Sequence, residues 1–271
     1  MMAPMIATIR VFSRVFSRVL LALFLFMTRA AIAGGPPLIV GMEMTYPPFE
    51  MTDAEGKPQG VSVDLALALG KALDRPVVFE NIAFGGLVPA LRTGKIDCII
   101  SSMTASEERK RAIDFSDPYV KTGLCLLVGA NSGIEKIEDL DQPGRTVTVK
   151  IDTTGHLFAS RNLKKARTLV LDKETRCALE VAQGKADAFL YDQMSIYAHW
   201  RKNLQTTRAL LKPFKEEQWA IGIRKGNDKL REAVNRFLAQ FRAEGGFEKL
   251  GEKWMAQEKA EFRKLDIPFC F

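Results

Sequence analysis

The chain has 271 residues, of which 47% are hydrophobic and 26% are charged, an ordinary globular composition. This length permits one large domain or two of about 100 residues each. The formal net charge of +7 falls to +3 without the first 33 residues, which hold four arginines and no acids. The low remaining charge argues against a nucleic-acid-binding surface.

Residues 1–33 show the order of features that is typical of a secretory signal peptide. Three arginines precede an apolar run at 19–27, and a small-X-small sequence ends at Ala33. Nine apolar residues are too few to span a membrane, which takes about 20. We therefore expect export with cleavage after Ala33. Because no cysteine lies near that point, we expect a soluble protein without a lipid anchor.

The cysteines predict neither a metal site nor a disulfide framework. The four cysteines are widely spaced and form no Cys-X-X-Cys pair, and the chain has only two histidines. Three of the cysteines lie in apolar, strand-like or helix-like runs, where a free cysteine behaves as a small hydrophobe. We expect buried free thiols, and the sequence also permits one disulfide bridge. The four cysteines are Cys98, Cys125, Cys177 and Cys270.

The first half of the mature chain alternates short strands with helices. Apolar runs predict strands at 38–41, 77–79 and 96–100. Helices are predicted at 62–73, with Ser62 as N-cap, and at 87–93, where Gly94 is the stop signal. A hairpin-like turn is expected at 53–59. This alternation is typical of a parallel sheet with helices on both faces.

The second half repeats the alternation and adds terminal helices. Strands are predicted at 144–149, 168–171 and 188–190, and helices at 155–163, 175–183, 228–242 and 246–254. Strand-like segments at 119–128 and 213–223 carry the chain across and back, which predicts a two-strand hinge. The predicted lobes are 34–122 plus 219–271, and 123–218.

A repeated motif links the two halves. Gly94-Lys95-Ile96-Asp97 and Gly184-Lys185-Ala186-Asp187 lie 90 residues apart, each glycine eight residues before a polar strand end, Ser102 or Asp192. This distance is too long for a solenoid and suits two similar α/β lobes. Ligands of open α/β sheets bind beyond the carboxyl ends of the strands. We therefore expect Ser102 and Asp192 to face each other across a cleft.

Five motifs carry a resemblance to a known family. They are Glu43-Met-Thr-Tyr46-Pro-Pro-Phe49-Glu50, Gly60-Val-Ser-Val-Asp64-Leu65, Ile100-Ser-Ser-Met-Thr104-Ala-Ser-Glu-Glu-Arg109, Asp114-Phe-Ser-Asp-Pro118-Tyr119 and Lys253-Trp254. Over residues 38–256 the chain resembles the polar amino-acid-binding proteins of ABC importers, which are type II periplasmic binding proteins of extracellular solute-binding family 3. The resemblance implies an α/β fold of two Rossmann-like lobes. It also implies a periplasmic monomer without cofactor that delivers an amino acid to a membrane permease.

Arg109 is the first candidate for ligand binding. It lies near the start of a helix marked by Thr104 or Ser106, and Thr104-X-X-Glu107 fits a capping box. A guanidinium there can hold a carboxylate through two parallel hydrogen bonds, which lysine cannot do. The charge pattern alone favours a solvated helix charge. The resemblance implies contact with the ligand carboxylate instead.

The resemblance implies roles for other residues. Asp192 would take the ligand's α-ammonium, and Ser102 and Thr104 would supply a backbone carbonyl and a hydroxyl. A strand-to-helix turn would offer N–H groups to the carboxylate through Lys150, Thr153 and Thr154. Asp152 stands in this turn where the family usually has glycine, and a carboxylate beside an anion site is unfavourable unless it points away, so the role of Asp152 is left open.

Three further residues bear on the ligand's side chain. Tyr46 and Phe84 would sandwich its flat or aliphatic part, and Glu43 matches a position where the family often has aspartate. Glu43 and Asp192 against Arg109 leave one excess negative charge, which favours a cationic side chain, with glutamine as the next choice.

An enzymatic alternative is left open. A few proteins that resemble this family dehydrate cyclic dienyl acids such as arogenate and prephenate. Glu43, or Glu217, would then act as the acid or base. No pair of nucleophile and base is visible in the sequence, which favours the receptor. His156, His199, Trp200 and Trp219 are interpreted as structural or surface residues.

Overall fold

The computed structural model describes residues 35–271, so the predicted signal peptide at 1–33 lies outside the described residues. The strands are β1 Leu38–Met42, β2 Thr45–Tyr46, β3 Glu50–Thr52, β4 Pro58–Gln59, β5 Val77–Asn81, β6 Cys98–Ile99, β7 Asp114–Gly129, β8 Thr146–Lys150, β9 Arg167–Leu171, β10 Ala188–Asp192 and β11 Thr207–Ile223. The helices are α1 Val61–Ala72, α2 Phe84–Thr93, α3 Glu107–Lys110, α4 Thr154–Asn162, α5 Glu174–Ala182, α6 Gln193–Lys202, α7 Asp228–Ala243 and α8 Gly246–Lys264.

Two groups of parallel strands flank a long antiparallel pair. The large sheet has the order β5-β1-β6-β11-β7-β10-β8-β9. Strands β5, β1 and β6 are parallel and form the first lobe, to which the small sheet of β2, β3 and β4 belongs. Strands β10, β8 and β9 are parallel and form the second lobe. The predicted α/β fold of two Rossmann-like lobes is confirmed.

The two long strands connect the lobes. Strand β11 pairs with β6 through Gly222 and Ile223, whereas β7 pairs with β10 along Leu124–Val128. The two strands pair with each other over most of their length, and the register shifts between Leu210 and Lys215. They are longer than the sequence predicts because they continue into both lobes. The bounds 34–122, 219–271 and 123–218 remain a prediction.

Each lobe has its own apolar cluster. In the first lobe, Leu87 and Leu91 of α2 pack with Ile99 of β6, all without solvent exposure. In the second lobe, Val147 and Leu190 pack with Leu126 of β7. Burial of such side chains stabilises a fold by about 1.5–3 kcal/mol each. No helix within residues 35–271 combines the length and apolar character needed to cross a bilayer.

Several local predictions need correction. The N-cap of α1 is Gly60, at φ 121°, and not Ser62. Glycine suits this position because a Cβ there would collide with the carbonyl oxygen of Phe49. Helix α6 was not predicted. Helix α8 has a kink at Met255, directly after the predicted end at Trp254, and the chain continues as helix to Lys264. The four cysteines are free and buried, as expected.

The repeated motif occupies equivalent places in the two lobes. Gly94 and Gly184 follow α2 and α5 with φ of 78° and 70°, a left-handed conformation that glycine adopts at low cost. The backbone N–H of Asp97 donates to the carbonyl of Ile39 in β1 at 2.8 Å, and that of Asp187 donates to the carbonyl of Thr146 in β8 at the same distance. The duplication is therefore structural as well as sequential.

Candidate functional site

A cavity lies between the lobes, and residues of both lobes line it. Its walls come from the segments that follow the carboxyl ends of β1, β5, β6, β8 and β10, where open α/β sheets bind ligands. All ten residues predicted for ligand binding line it: Glu43, Tyr46, Phe84, Ser102, Thr104, Arg109, Lys150, Thr153, Thr154 and Asp192.

Arg109 presents an unpaired guanidinium from the first lobe. It lies in α3, whose N-cap is Ser106 rather than Thr104, so the capping box does not form. Its Nη1 donates to the carbonyl of Thr104 at 2.9 Å and its Nη2 to that of Asp152 at 3.0 Å. Among the ion pairs of residues 35–271, none includes Arg109. Its positive charge is therefore available to an anion.

Asp192 presents a buried carboxylate from the second lobe. It ends β10 and caps α6, where Oδ1 accepts from the backbone N–H of Ser195 at 3.0 Å and from the hydroxyl of Tyr46 at 2.6 Å. In the part of the chain described, Oδ2 accepts no hydrogen bond and no cationic side chain pairs with the group. Burial raises the pKa of Asp192 to about 7, although the bonds from Tyr46 and Ser195 oppose the rise.

Glu43 and Lys150 form an ion pair across the cleft. Lys150 ends β8 in the second lobe and Glu43 follows β1 in the first. Oε2 of Glu43 accepts from the Lys150 ammonium, and Oε1 accepts from the backbone N–H of Phe84 at 3.2 Å. The side chain of Glu43 is only 15% exposed and that of Lys150 only 5%, so little solvent reaches the pair. The two charges neutralise each other, so the pair adds little net charge to the cavity.

The turn after β8 adopts the helix-capping geometry that the sequence implies. Thr153 caps α4, since its hydroxyl oxygen accepts from the N–H of His156, and the hydroxyl donates to the carbonyl of Lys150 at 2.7 Å. The hydroxyl of Thr154 donates to Glu217 at 2.8 Å. A Cβ on Gly155 would lie 2.7 Å from the carbonyl oxygen of Leu190, so glycine permits close packing of α4 on β10.

Asp152 turns its carboxylate away from this turn. Its φ of 61° is left-handed, which explains why glycine would suit the position and why aspartate is tolerated. The carboxylate lies against Gly85 at the start of α2, on the opposite lobe. Its backbone carbonyl faces Arg109. Asp152 is not among the residues that line the cavity.

The hydroxyls of Ser102 and Thr104 face two glutamates. Ser102, with a left-handed φ of 48°, donates to Oε2 of Glu50 at 3.0 Å. Thr104 donates to Oε2 of Glu217 at 3.0 Å. Oε1 of Glu217 is buried without a hydrogen bond in the described chain, with the ammonium of Lys215 at 3.5 Å. Both glutamates line the cavity.

The predicted sandwich of Tyr46 and Phe84 stays a prediction, and both rings line the cavity. The ring of Tyr46 stacks on Phe49 at 5.5 Å and meets the edge of Trp219 at 6.0 Å. The ring of Phe84 lies 5.1 Å from the guanidinium of Arg109 and 5.5 Å from the ammonium of Lys150. Such contacts stabilise cations. Phe84 therefore stabilises two cations, and Tyr46 packs against the rings of Phe49 and Trp219.

Six further residues line the cavity that were not predicted for ligand binding, of which Glu217 was named only for the enzymatic alternative: Glu50, Ser101, Leu124, Tyr191, Glu217 and Trp219. Ser101 and Tyr191 adjoin the predicted Ser102 and Asp192, and Glu50 ends a motif that carries the resemblance. A signal was therefore present for these three. Glu217 and Trp219 come from the hinge strand β11, which has no such motif. Within residues 35–271, no cluster of three His, Cys, Asp or Glu side chains is placed to hold a metal.

Comparison with known proteins gives one family. The family of bacterial extracellular solute-binding proteins, family 3, matches residues 38–257. The L-cystine-binding protein TcyJ of Escherichia coli K12 is 31% identical over 222 residues, 82% of this chain and 83% of that protein. A putative ABC-transporter binding component from Wolinella succinogenes, complexed with lysine, is 34% identical with a TM-score of 0.77, over 84% of this chain and 98% of that one. An ancestral amino acid-binding protein, described as a precursor of cyclohexadienyl dehydratase, is 35% identical with a TM-score of 0.74, over 86% and 98%.

Proposed function

This chain belongs to family 3 of the bacterial extracellular solute-binding proteins, and we propose that it is the amino-acid receptor of an ABC importer. It binds one polar L-amino acid in the cavity between the lobes and presents it to a membrane permease. The relatives named above are binding proteins for cystine, lysine or an unspecified amino acid.

One observation carries this proposal. Arg109 and Asp192 line the same cavity from opposite lobes, and neither takes part in an ion pair within residues 35–271. An isolated buried charge is costly unless a ligand pairs with it. An amino acid brings a carboxylate for Arg109 and an ammonium for Oδ2 of Asp192. Two charge-assisted contacts suffice for micromolar affinity, which corresponds to about −8 kcal/mol.

The same arrangement couples binding to closure. A ligand held by both residues contacts both lobes, so it favours the closed form over the open one. Direct contacts already join the lobes, among them Tyr46 to Asp192, Lys150 to Glu43, and Arg161 to Glu108 at 2.6 Å. The hinge strands β7 and β11 supply the two crossings about which the lobes would move.

The ion pair between Glu43 and Lys150 refines the ligand class. The charge count that favoured a cationic side chain omitted Lys150, which neutralises Glu43 and would repel a second cation nearby. A side chain with both a donor and an acceptor can bond to both members of the pair. We therefore place neutral polar amino acids such as glutamine before lysine and arginine.

The enzymatic alternative has less support. A dehydratase needs a free acid or base, whereas Glu43 is bound to Lys150 and Oε2 of Glu217 accepts two threonine hydroxyls. The structural relative connected with cyclohexadienyl dehydratase is itself described as an amino acid-binding protein. Product formation from prephenate or arogenate would contradict the receptor proposal.

A thermal-shift screen of the mature chain against the common L-amino acids tests the proposal. A ligand at 100 times its Kd adds about 2.7 kcal/mol to the unfolding free energy, so binding is visible as a raised Tm. We expect the largest shift from a neutral polar amino acid. No shift with any amino acid would contradict the receptor, and a shift confined to lysine and arginine would contradict the refined ligand class.

The cellular setting completes the proposal. We propose a periplasmic, monomeric protein whose closed form docks on its permease. Fractionation of cells that express the full chain, followed by gel filtration of the mature form, checks both points. A protein that stays in the cytoplasm, or that elutes as a dimer, would contradict them.

A further inference from the structure

A buried carboxyl group, that of Glu50, lies in the wall of the ligand cavity and is surrounded by hydroxyls. Oε2 of Glu50 accepts from the hydroxyl of Ser62 at 2.6 Å and from that of Ser102 at 3.0 Å. Oε1 lies 3.4 Å from the hydroxyl of Ser101. Glu50 is 1% exposed, and the ion pairs of residues 35–271 do not include it. A negative charge at this place would have no direct counter-ion.

This environment favours the neutral form of the group. Burial raises the pKa of Glu50 to about 8, and the three serine hydroxyls oppose the rise without cancelling it. A neutral carboxyl group has one acceptor oxygen and one O–H donor. Oε2, with its two short bonds, suits the acceptor. Oε1, with its single long contact, suits the protonated oxygen.

Glu50 is connected to the ligand-facing residues through two serines. Ser101 accepts a hydrogen bond from the backbone N–H of Glu43 at 3.0 Å, so it links Glu50 to the pair of Glu43 and Lys150. Ser102 holds a left-handed φ of 48°, which is costly for serine and persists only when the surroundings enforce it. The bond to Glu50 is one such constraint.

We propose that Glu50 is a positioning residue that, as a neutral carboxylic acid, holds Ser101 and Ser102 and through them sets the geometry of the amino-acid site. If Glu50 loses its proton in alkaline solution, its negative charge adds to those of Glu43, Asp192 and Glu217. Ligand affinity therefore falls as the pH rises above about 8. The inference about affinity rests on the proposed function, whereas the protonation of Glu50 does not.

Other titratable groups face Glu50 and belong to the same pH profile. Tyr119 and Tyr191 lie near it, and burial holds the pKa of each phenol above its usual range, so both stay neutral where Glu50 titrates. Lys150 is the cation that acts on it, from a distance. The ligand's own ammonium also titrates in alkaline solution. A comparison between variants removes these shared contributions.

The experiment compares Glu50→Gln, Glu50→Ala and wild type by calorimetry with L-glutamine from pH 6 to pH 9. Glutamine keeps a carbonyl acceptor and a donor but cannot ionise. We expect Glu50→Ala to weaken binding at pH 7 by about tenfold or more, and Glu50→Gln to restore most of that loss. Wild type should lose about tenfold more affinity than Glu50→Gln by pH 9. Glu55→Gln is the matched control, because Glu55 is an exposed glutamate in the same hairpin.

Thermal unfolding of the ligand-free proteins gives an independent measurement. The folded state keeps the Glu50 proton up to about pH 8, whereas the unfolded glutamate loses it near its usual pKa of 4.5, so wild type loses stability between these values. The Tm of Glu50→Gln relative to wild type should rise by about 3 °C or more from pH 5 to pH 9. If the two proteins show the same pH dependence, Glu50 is not a neutral hydrogen-bonding group and the inference is wrong. If L-glutamine binds none of the proteins, the ligand assignment fails while this measurement still decides on Glu50.

Discussion

The two copies of Gly-Lys-X-Asp begin alike and end differently. At the start of each strand, an aspartate accepts from a neighbouring backbone N–H and from an arginine: Asp97 from Ile39 and Arg75, and Asp187 from Thr146 and Arg145. The chain after the first strand leads to a cation, Arg109. The second strand ends at an anion, Asp192. The lobes therefore share a framework and differ in the charge that they present.

This difference suits a zwitterion, because two similar lobes can each hold one end of it only if their charges are opposite. The starts of the strands stabilise the lobes, and the ends bind the ligand. Substitutions at the two places should therefore have separable effects. The ends should change affinity with little change in stability, and the starts should change stability with little change in affinity.

The largest expected effect is at the cationic end. Arg109→Ala leaves the ligand carboxylate without its partner, so we expect a loss of about 100-fold or more in affinity, from the 2–5 kcal/mol typical of a truncated charge pair. Arg109→Lys should recover little of this loss, because an ammonium cannot form the two parallel bonds of a guanidinium. Calorimetry measures both variants. Arg92→Ala, at an exposed position of α2, is the control, and near-normal affinity of Arg109→Ala would contradict the site.

The anionic end, Asp192, should make ligand affinity depend on pH in acid solution. An ammonium prefers the ionised form of Asp192, whose pKa of about 7 lies well above that of an exposed aspartate. Affinity should therefore fall below pH 7, by up to about tenfold for each pH unit. Calorimetry from pH 5 to pH 7.5 in matched buffers, with proton release measured from the buffer dependence of the enthalpy, tests this. A flat profile down to pH 5 would mean that Asp192 does not hold the ammonium.

The strands and helices of the two lobes could be predicted from the sequence, since hydrophobic periodicity and helix-ending glycines determine them. Gly94 and Gly184 mark the ends of helices, and the apolar runs after them mark buried strands. The strand ends Ser102 and Asp192 follow from the same rule, because ligands bind beyond such ends. Arg109 needed the resemblance as well, since its local charge pattern is that of a solvated helix.

The remaining features depend on contacts between segments that are distant in sequence. The bond from Tyr46 to Asp192 spans 146 residues, and the pair of Glu43 and Lys150 spans 107. Neither periodicity nor spacing indicates such partners. The omission of the pair from the charge count led to the cationic ligand class. Glu217 was not predicted for ligand binding for a similar reason, since its partners Thr104 and Thr154 come from different lobes.

The starts of the strands should affect stability. Asp97→Ala and Asp187→Ala each remove an acceptor from a backbone N–H and from an arginine, at a cost of about 1–3 kcal/mol. This corresponds to a Tm lower by about 2–4 °C per kcal/mol for a chain of this size. Asn at either position should recover part of the loss, since it keeps one acceptor oxygen. Unfolding curves with affinity measured in parallel check this, and loss of affinity without loss of stability would remove the distinction between starts and ends.

The smallest effect is at the two glycines, where it tests how far the lobes are equivalent. Alanine at Gly94 or Gly184 must adopt a positive φ, which costs about 1 kcal/mol. A Cβ at Gly184 would have no atom within 4 Å, and at Gly94 it would meet only the guanidinium of Arg224 at 2.9 Å. Because that group ends a flexible side chain, we expect the two costs to agree within about 0.5 kcal/mol. Lys185→Ala changes a neighbouring exposed side chain without the backbone strain and serves as the control. A much larger cost at Gly94 would mean that Arg224 is fixed in place, and the two helix ends would then not be equivalent.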